Sequence, residues 1–379
     1  MKILFLSSSL AAKFGGAAIS ESSLCGKLSL HHELVVLSRS ARADLDFAKK
    51  QGIKNVVCFK PTDLIRAFFD SEHPLSKLIR WAEVFHLNGH WFWENYFFAR
   101  LCYRYGVPYI LHPRGMLWVS YRRPVLKRVF NIVLGNWIVS HASKVVLLSE
   151  FEKSQLDRYP VVNKKLIVIP NGIELPEFNT DCIAARKKYF LYLGRLEPRK
   201  NLEFLIRSFK KVIENNSGLS LRLIGPVERH YDQALKKLIF QLGLSDVVTI
   251  EDPVYGKEKA ILLSNALAVV YPAKGEPFGR TVFEAFAAGT ICLIPQNSGG
   301  AEYVNIFAPE MLYPDQSEDI LADKMLTISM MEQEERSLLV TKAQEWVKRN
   351  LDWQSVTERV LEVYRVVLKQ PEGMNLKNL

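Results

Sequence analysis

Two short strings in the chain combine glycines, cations and carboxylates at spacings that suit a phosphorylated sugar. In Gly275-Glu276-Pro277-Phe278-Gly279-Arg280-Thr281-Val282-Phe283-Glu284-Ala285, a β-branched run ending near Tyr271 leads into a loop, and the loop opens a helix at about Thr281. A helix amino terminus beside glycine backbone attracts phosphate oxygens, while carboxylates accept hydrogen bonds from sugar hydroxyls. Phe278, Gly279, Arg280 and Thr281 are therefore candidates to bind the phosphate end of a nucleotide sugar, with Glu276 at the loop edge and Glu284 one turn into the helix for the hydroxyls. Either glutamate taken alone also fits a surface acid, and Gly279 a plain turn.

The second string is Leu191-Tyr192-Leu193-Gly194-Arg195-Leu196-Glu197-Pro198-Arg199-Lys200-Asn201. A strand ending at Gly194 and a helix beginning near Asn201 would project Arg195 and Lys200 from a strand-to-helix loop, where two fixed cations can neutralise a departing diphosphate. Arg199 is expected to point to solvent. A loop whose charges are spent on salt bridges is the alternative. Asp44-Leu45-Asp46 is a D-x-D only by letter, since no strand leads into it, and no metal site is assigned.

The elements that would carry these strings alternate. Short β-branched runs at 2–7, 33–38, 55–59, 84–87, 108–112, 144–148 and 166–169 are separated by amphipathic segments. A second series follows at 189–194, 219–225, 247–251, 268–271 and 291–295. That alternation predicts an α/β protein with two doubly wound, Rossmann-like domains, their parallel sheets facing an interdomain cleft beyond the carboxyl ends of the strands. Pro170-Asn171-Gly172 stops the first series, and the segment to about Asp181 reads as a linker. The domains are placed at 1–175 and 176–350. The chain from Ser317 to about Lys369 is expected to be helical throughout, and 351–379 to be a tail helix packing back towards the first domain through Val356, Val360, Val363, Tyr364 and Val367.

On these residues the chain resembles the retaining glycosyltransferases of the GT-B fold, in glycosyltransferase family four. The family pattern is a strand, Gly-Arg, Lys-Asn, and later two glutamates separated by seven residues, as Glu276 and Glu284 are here. Gly15-Gly16 looks like the family's amino-terminal glycine loop, Pro170-Asn171-Gly172-Ile173 like its hinge entry and Asp352-Trp353 like the start of its last helix. His112-Pro113-Arg114-Gly115-Met116-Leu117 is similar to a string in bacterial surface-polysaccharide members. Gly299-Gly300-Ala301-Glu302 is one residue shorter than the family's spacing, so Glu302 is given no donor role.

The resemblance implies a nucleotide-diphosphate sugar as donor in the second domain and a glycan or lipid-linked acceptor on the first. No separate cofactor and no metal is implied. Arg195, Lys200 and the amides of Gly15 and Gly16 would stabilise charge on the β-phosphate, and the departing phosphate oxygen would take the acceptor proton. His112 would lie near the reacting sugar carbon, with Glu276 among the catalytic groups. His86 and Asn88, at the end of another strand, and Arg114 would line the acceptor side. A structural hydrogen bond is the alternative for His112, and His31, His32 and His141 read as structural or exposed. Rival readings are a GT-B sugar-nucleotide epimerase, which needs no acceptor surface, and a noncatalytic protein that docks on an anionic surface.

The chain's 379 residues amount to two or three domains at roughly 150 residues each, and 48% hydrophobic with 24% charged residues is a globular composition. Five scattered cysteines, Cys25, Cys58, Cys102, Cys182 and Cys292, make no C-x-x-C pair, so a disulfide framework or zinc site is not expected and a reducing, cytoplasmic setting fits. The first twelve residues break into serines too early for a signal peptide and read as a buried strand. The net charge of +10 is carried entirely by the first half: residues 1–180 hold 24 Lys and Arg against 14 Asp and Glu, and the remainder holds 26 of each. Its densest stretch, Arg114, Arg122, Arg123, Lys127 and Arg128, is interleaved with Trp118, Tyr121, Phe130 and Trp137. That pattern suits an anionic surface, either the phospholipid headgroups at the inner face of a membrane or a pyrophosphate-linked acceptor, and equally fits a solvated helix with its aromatics turned inward. Without a zinc-finger or RRM signature, nucleic acid is not expected as a partner.

Overall fold

The computed structural model describes residues 1–11, 15–117, 123–159, 165–176, 188–315 and 317–369. By contacts the chain forms two compact units: residues 1–172 with the chain from Trp353 onward, and Ile173–Asp352.

In the first unit β1 (Lys2–Leu6), β2 (Glu33–Arg39), β3 (Val56–Phe59), β4 (Val84–Asn88), β5 (Tyr109–His112), β6 (Lys144–Leu147) and β7 (Leu166–Val168) form one sheet in the order β3-β2-β1-β4-β5-β6-β7. Every pairing is parallel. The order reverses beside β1, the doubly wound arrangement that leaves the carboxyl ends of β1 and β4 open to a ligand. Helices cover both faces, which is why the strands are apolar on both sides. Leu4, Leu6, Phe85, Leu87 and Leu111 join one buried cluster, while Ile3, Phe5, Val84 and Ile110 join the other. To this second cluster the helix Trp353–Lys369 contributes Trp353, Val356, Val360, Val363, Tyr364 and Val367.

The second unit has β8 (Tyr189–Leu193), β9 (Ser220–Ile224), β10 (Val248–Glu251), β11 (Ala268–Val270), β12 (Cys292–Pro295) and β13 (Leu312–Tyr313), also all parallel, in the order β10-β9-β8-β11-β12-β13. Two points differ from expectation. β13 is two residues long and carries no periodic signal. The supposedly continuous helical stretch is three helices, Glu318–Met330, Gln333–Leu351 and Trp353–Lys369. Met331 and Asp352 have extended backbone (ψ 129° and 141°) at the breaks. Arg336 stabilises the first break, donating from Nη2 to the Ile328 carbonyl at 2.7 Å and from Nη1 to Leu267 at 2.8 Å, and so satisfies an orphan carbonyl at the helix end.

Candidate functional site

In the second unit the two strings meet. After β8, the Gly194 amide donates to the Ile224 carbonyl at 3.0 Å, a 3-10 turn spans Pro198–Lys200, and Asn201 takes a left-handed backbone (φ 57°) before the helix Leu202–Asn215. Asparagine tolerates that conformation better than most side chains. The turn points Lys200 inward: Nζ lies 2.6 Å from Glu276 Oε2 and 2.9 Å from the Tyr271 hydroxyl. Burial alone would raise the Glu276 carboxyl, but the Lys200 ammonium, with Arg199 behind it, outweighs burial and holds it below the ordinary carboxylate value.

Lys200 is therefore not a free cation. It is one half of a mostly enclosed ion pair, with 8% and 17% of the two side chains exposed. Arg195 is exposed, and its carbonyl accepts from the Tyr192 hydroxyl at 2.8 Å, which fixes the backbone from which it projects. Arg199 does not point to solvent as expected. Half-buried, it lies 3.7 Å from Glu197 and contributes to the positive field on Glu276.

Gly279 (φ 76°) caps the helix Arg280–Ala287. The Phe278 ring is buried against Phe283, 4.6 Å between centroids, so Phe278 is a core side chain and offers a ligand only its backbone. Thr281 is buried in the first turn. Glu284 has both oxygens engaged, Oε2 with Lys259 at 2.6 Å and Oε1 with Arg280 at 3.1 Å. Burial would raise this carboxyl too, but those two cations hold it low.

Sequence reasoning missed Tyr271 and Lys259, whose only signal was a position at a strand end or on a preceding helix. It also missed the use of Gly299-Gly300. The Gly299 amide donates to the Glu276 carbonyl at 2.8 Å, and a side chain at Gly300 would meet the Phe278 carbonyl at 2.5 Å, so a second helix start packs directly on the Glu276–Gly279 loop.

In the first unit the candidate residues sit on β4, β5 and the turn after β5. His86 is the middle residue of β4 rather than its end, because the strand runs on to Asn88. Its Nδ1 lies 2.7 Å from the Tyr364 hydroxyl of the last helix. His112 ends β5, its ring 5.5 Å from that of His86. Burial, then the Arg114 charge, pushes both imidazoles well below their ordinary value, so both are neutral at pH 7. Arg114 is buried with φ 54°, donating from Nε to Asn88 Oδ1 at 2.9 Å and from Nη1 to Asn171 Oδ1 at 2.6 Å.

Gly15 (φ 84°) caps the helix Gly16–Leu28. Glu21 of that helix holds the loop after β1, accepting from the Ser7 hydroxyl and from the Ser8 amide and hydroxyl at 2.7–2.8 Å. Burial raises its carboxyl despite these bonds and Arg114. Asp44, of the D-x-D string, caps the helix Leu45–Lys50 by accepting from the Phe47 amide at 2.9 Å.

Of the basic and aromatic stretch, Trp118, Tyr121 and Arg122 lie outside the described residues. Its helix, Pro124–Phe130, runs through a π turn, Asn131–Gly135, into Asn136–His141. Its described aromatics, Phe130 and Trp137, do not face out. Phe130 packs against His90 and Trp91, and Trp137 stacks on His141 at 4.0 Å. The outer face instead carries Val125, Leu126, Val129, Ile132 and Val133, each more than half exposed, beside exposed Arg123 and Arg128.

Among the described residues no group of three or more His, Cys, Asp and Glu side chains is arranged to hold a metal ion, and no helix is long and apolar enough to cross a membrane.

Residues 14–177 match the model of Glycosyltransferase Family 4, and residues 178–346 that of Glycosyl transferases group 1. A D-inositol 3-phosphate glycosyltransferase of Saccharomonospora viridis is 25% identical over 257 residues, 63% of this chain and 59% of the relative. The O-antigen chain mannosyltransferase RfbU of Salmonella typhimurium is 29% identical over 188 residues, 48% of this chain and 52% of the relative. The matched region thus spans little more than half the length of these relatives. Among solved structures, Anabaena Alr3699/HepE in complex with UDP and glucose superposes with a TM-score of 0.77 at 18% identity, covering 97% of this chain and 100% of that one.

Proposed function

Since the chain belongs to glycosyltransferase family 4 and has its GT-B fold, we propose that it is a retaining, metal-independent glycosyltransferase moving a sugar from a nucleotide-diphosphate donor to an acceptor hydroxyl. The observation that carries this reading is the 2.6 Å contact between Lys200 and Glu276, which joins the cationic loop after β8 to the helix start at Gly279 in one unit. The hard part of the reaction is the negative charge growing on the β-phosphate as the glycosidic bond breaks. Arg195 and Lys200 offer it fixed cations, and the amides at Gly279–Thr281 offer it a helix terminus. A phosphate drawn to Lys200 loosens its grip on Glu276, which can then accept from the sugar's hydroxyls. As the resemblance to the retaining family implies, the departing phosphate oxygen takes the acceptor proton and the new bond forms on the face the phosphate left.

Titration with a panel of nucleotide sugars, read by calorimetry and by mass spectrometry of the products, tests this reading. Donor binding is expected for one sugar or a few. Donor that is converted to an epimer with no acceptor present would replace transfer by epimerisation. Activity is expected to persist in EDTA, because Arg195 and Lys200 supply the charge a divalent ion would. Loss on chelation with recovery on adding magnesium would overturn the assigned leaving-group chemistry.

A role in assembling surface polysaccharide or glycolipid fits a lipid-linked acceptor at the inner face of the cytoplasmic membrane. The exposed aliphatic face at Val125–Val133, flanked by Arg123, Lys127 and Arg128, suits an anionic lipid surface. Each basic residue near such a surface is worth about 1 kcal/mol, screened within a Debye length. Sedimentation with vesicles should therefore show binding that rises with anionic lipid and falls with salt. Replacing Arg122, Arg123, Lys127 and Arg128 by Gln should abolish it, and equal binding to neutral vesicles would refute it.

A further inference from the structure

Glu152 of the first unit has no exposed surface and belongs to none of the motifs above. It lies in the short helix Glu150–Lys153 after β6, where the Ser149 hydroxyl caps the helix by accepting from the Glu152 amide at 3.1 Å. Its carboxylate accepts from backbone on both oxygens: Oε1 from the Gly115 amide at 2.6 Å and Oε2 from the Leu148 amide at 2.7 Å. Leu148 directly follows β6, whereas Gly115 stands in the turn after β5. One side chain thus ties together the carboxyl ends of two neighbouring strands.

That turn is one a chain does not adopt unaided. Arg114 and Gly115 are both left-handed, with φ 54° and 77°, a backbone that arginine takes only where its surroundings impose it. Inside the turn the Met116 amide donates to the Pro113 carbonyl at 3.1 Å, and at its start the Gly89 amide donates to the His112 carbonyl at 2.9 Å. Glu152 supplies the acceptor for Gly115 from outside the turn. With the backbone so fixed, the Arg114 guanidinium reaches Asn88 and Asn171. A shift at Gly115 would therefore move Arg114 beside it and disturb His112 at the end of β5.

We propose that Glu152 is a positioning residue for glycosyl transfer, setting through the Gly115 amide the turn that presents His112 and Arg114. Its part in turnover rests on the proposed transfer and on the place beside the reacting carbon that the family resemblance gives His112. Its hold on the turn does not. Both backbone partners are donors, so the carboxyl must be ionised to serve both, and a protonated one sets a hydroxyl donor against an amide. Burial pushes this carboxyl up to about 7, against the two amides and the Arg114 charge on the facing turn, which favour ionisation. Glu150 and Lys153 of its own helix pair with each other at the surface, 3.1 Å apart. Turnover should fall as pH drops below neutral and the hold on the turn loosens. Stability runs the other way: a carboxyl whose value is raised in the fold binds its proton more readily folded than unfolded, so this site stabilises the fold more as pH falls through about 7. A residue that only supported the fold would move the two together.

The test follows two signals of the full chain across the neutral pH range: the Gly115 amide resonance by TROSY NMR, and kcat for transfer at saturating substrates. Both should titrate with one midpoint. Glu152→Gln has the same shape but turns N–H donors towards one of the amides. It should abolish the Gly115 titration, remove the acid limb of the rate profile and lower kcat by about tenfold to a hundredfold, with the donor KM nearly unchanged. Should that variant fail to fold, the wild type decides alone through the match of the two midpoints. A Gly115 titration with no matching change in turnover, an unchanged kcat in Glu152→Gln, or a Gly115 resonance that neither pH nor the substitution moves overturns the positioning role and leaves the transferase reading standing. A wild type that transfers from no donor removes the transferase reading itself, and the role of Glu152 in turnover with it.

Discussion

Lys200→Ala is expected to lower turnover by about 10²–10³, because a positioned charge on a developing oxyanion is worth roughly 3 to 4 kcal/mol. The structure adds a second consequence that the loop's sequence does not suggest. Removing the ammonium strands Glu276, whose side chain is only 17% exposed. Breaking a buried pair costs about 3–5 kcal/mol, and the residual exposure of Glu276 places this case near the lower end. The single variant should therefore be both slow and less stable. The double variant Lys200→Ala with Glu276→Gln should regain much of the stability and none of the turnover, which separates the charge used in catalysis from the charge used in folding. The Glu276 carboxyl is held below its ordinary value in the folded state, so the pair's contribution is full above the usual carboxylate range and is lost as pH falls through the lowered value. Urea unfolding of wild type and variant should converge in acid. Near-wild-type kinetics in Lys200→Ala would remove the donor site from this loop.

Much of the fold was legible because the central parallel strands, β1 and β4 in the first sheet and β8, β11 and β12 in the second, are buried on both faces and read as largely apolar runs. Ile3, Leu4 and Phe5, all fully buried, show the pattern. β13 escaped because two residues, Leu312 and Tyr313, cannot establish a period. The elements that carry the candidate site were legible for a related reason. Gly279 and Asn201 mark backbone turns that need a left-handed residue, and both stand at the junctions inferred from sequence.

Partnerships across the fold were not legible. Nothing in a string ending Arg199-Lys200 says which cation turns inward, since the choice is made by Tyr271 and Glu276, more than seventy positions away. The direction of Phe130 and Trp137 was likewise decided by His90 and His141, which offer them ring faces. The π turn at Asn131–Gly135 brings Asn131 Oδ1 within 3.0 Å of His90 Nε2, a buried imidazole whose pKa burial lowers to about 4.

Gly225→Ala should be the most damaging single substitution of a residue with no side chain to lose. Gly225 follows β9 with φ 150°, and a Cβ there would sit 1.9 Å from the Gly194 carbonyl oxygen and 2.7 Å from its carbon. Both neighbours are backbone at the ends of paired strands, so no side chain can swing aside. Overpacking costs about 1–3 kcal/mol and a disallowed backbone a similar amount, enough to lower the melting temperature by roughly 10 °C in a unit of this size. The displaced backbone is also the one that carries Arg195, so turnover should fall further than the lost stability explains when assayed well below the melting temperature. Gly243→Ala is the control. Its φ is 67°, but a Cβ there meets nothing within 4 Å, so it carries the conformational penalty of about 1 kcal/mol without the collision. Equal losses in the two variants would show that the crowding at Gly194 relaxes freely and that Arg195 does not depend on it. A much larger loss at Gly225, in melting and in turnover together, would tie the position of the Arg195 loop to the contact between the ends of β8 and β9.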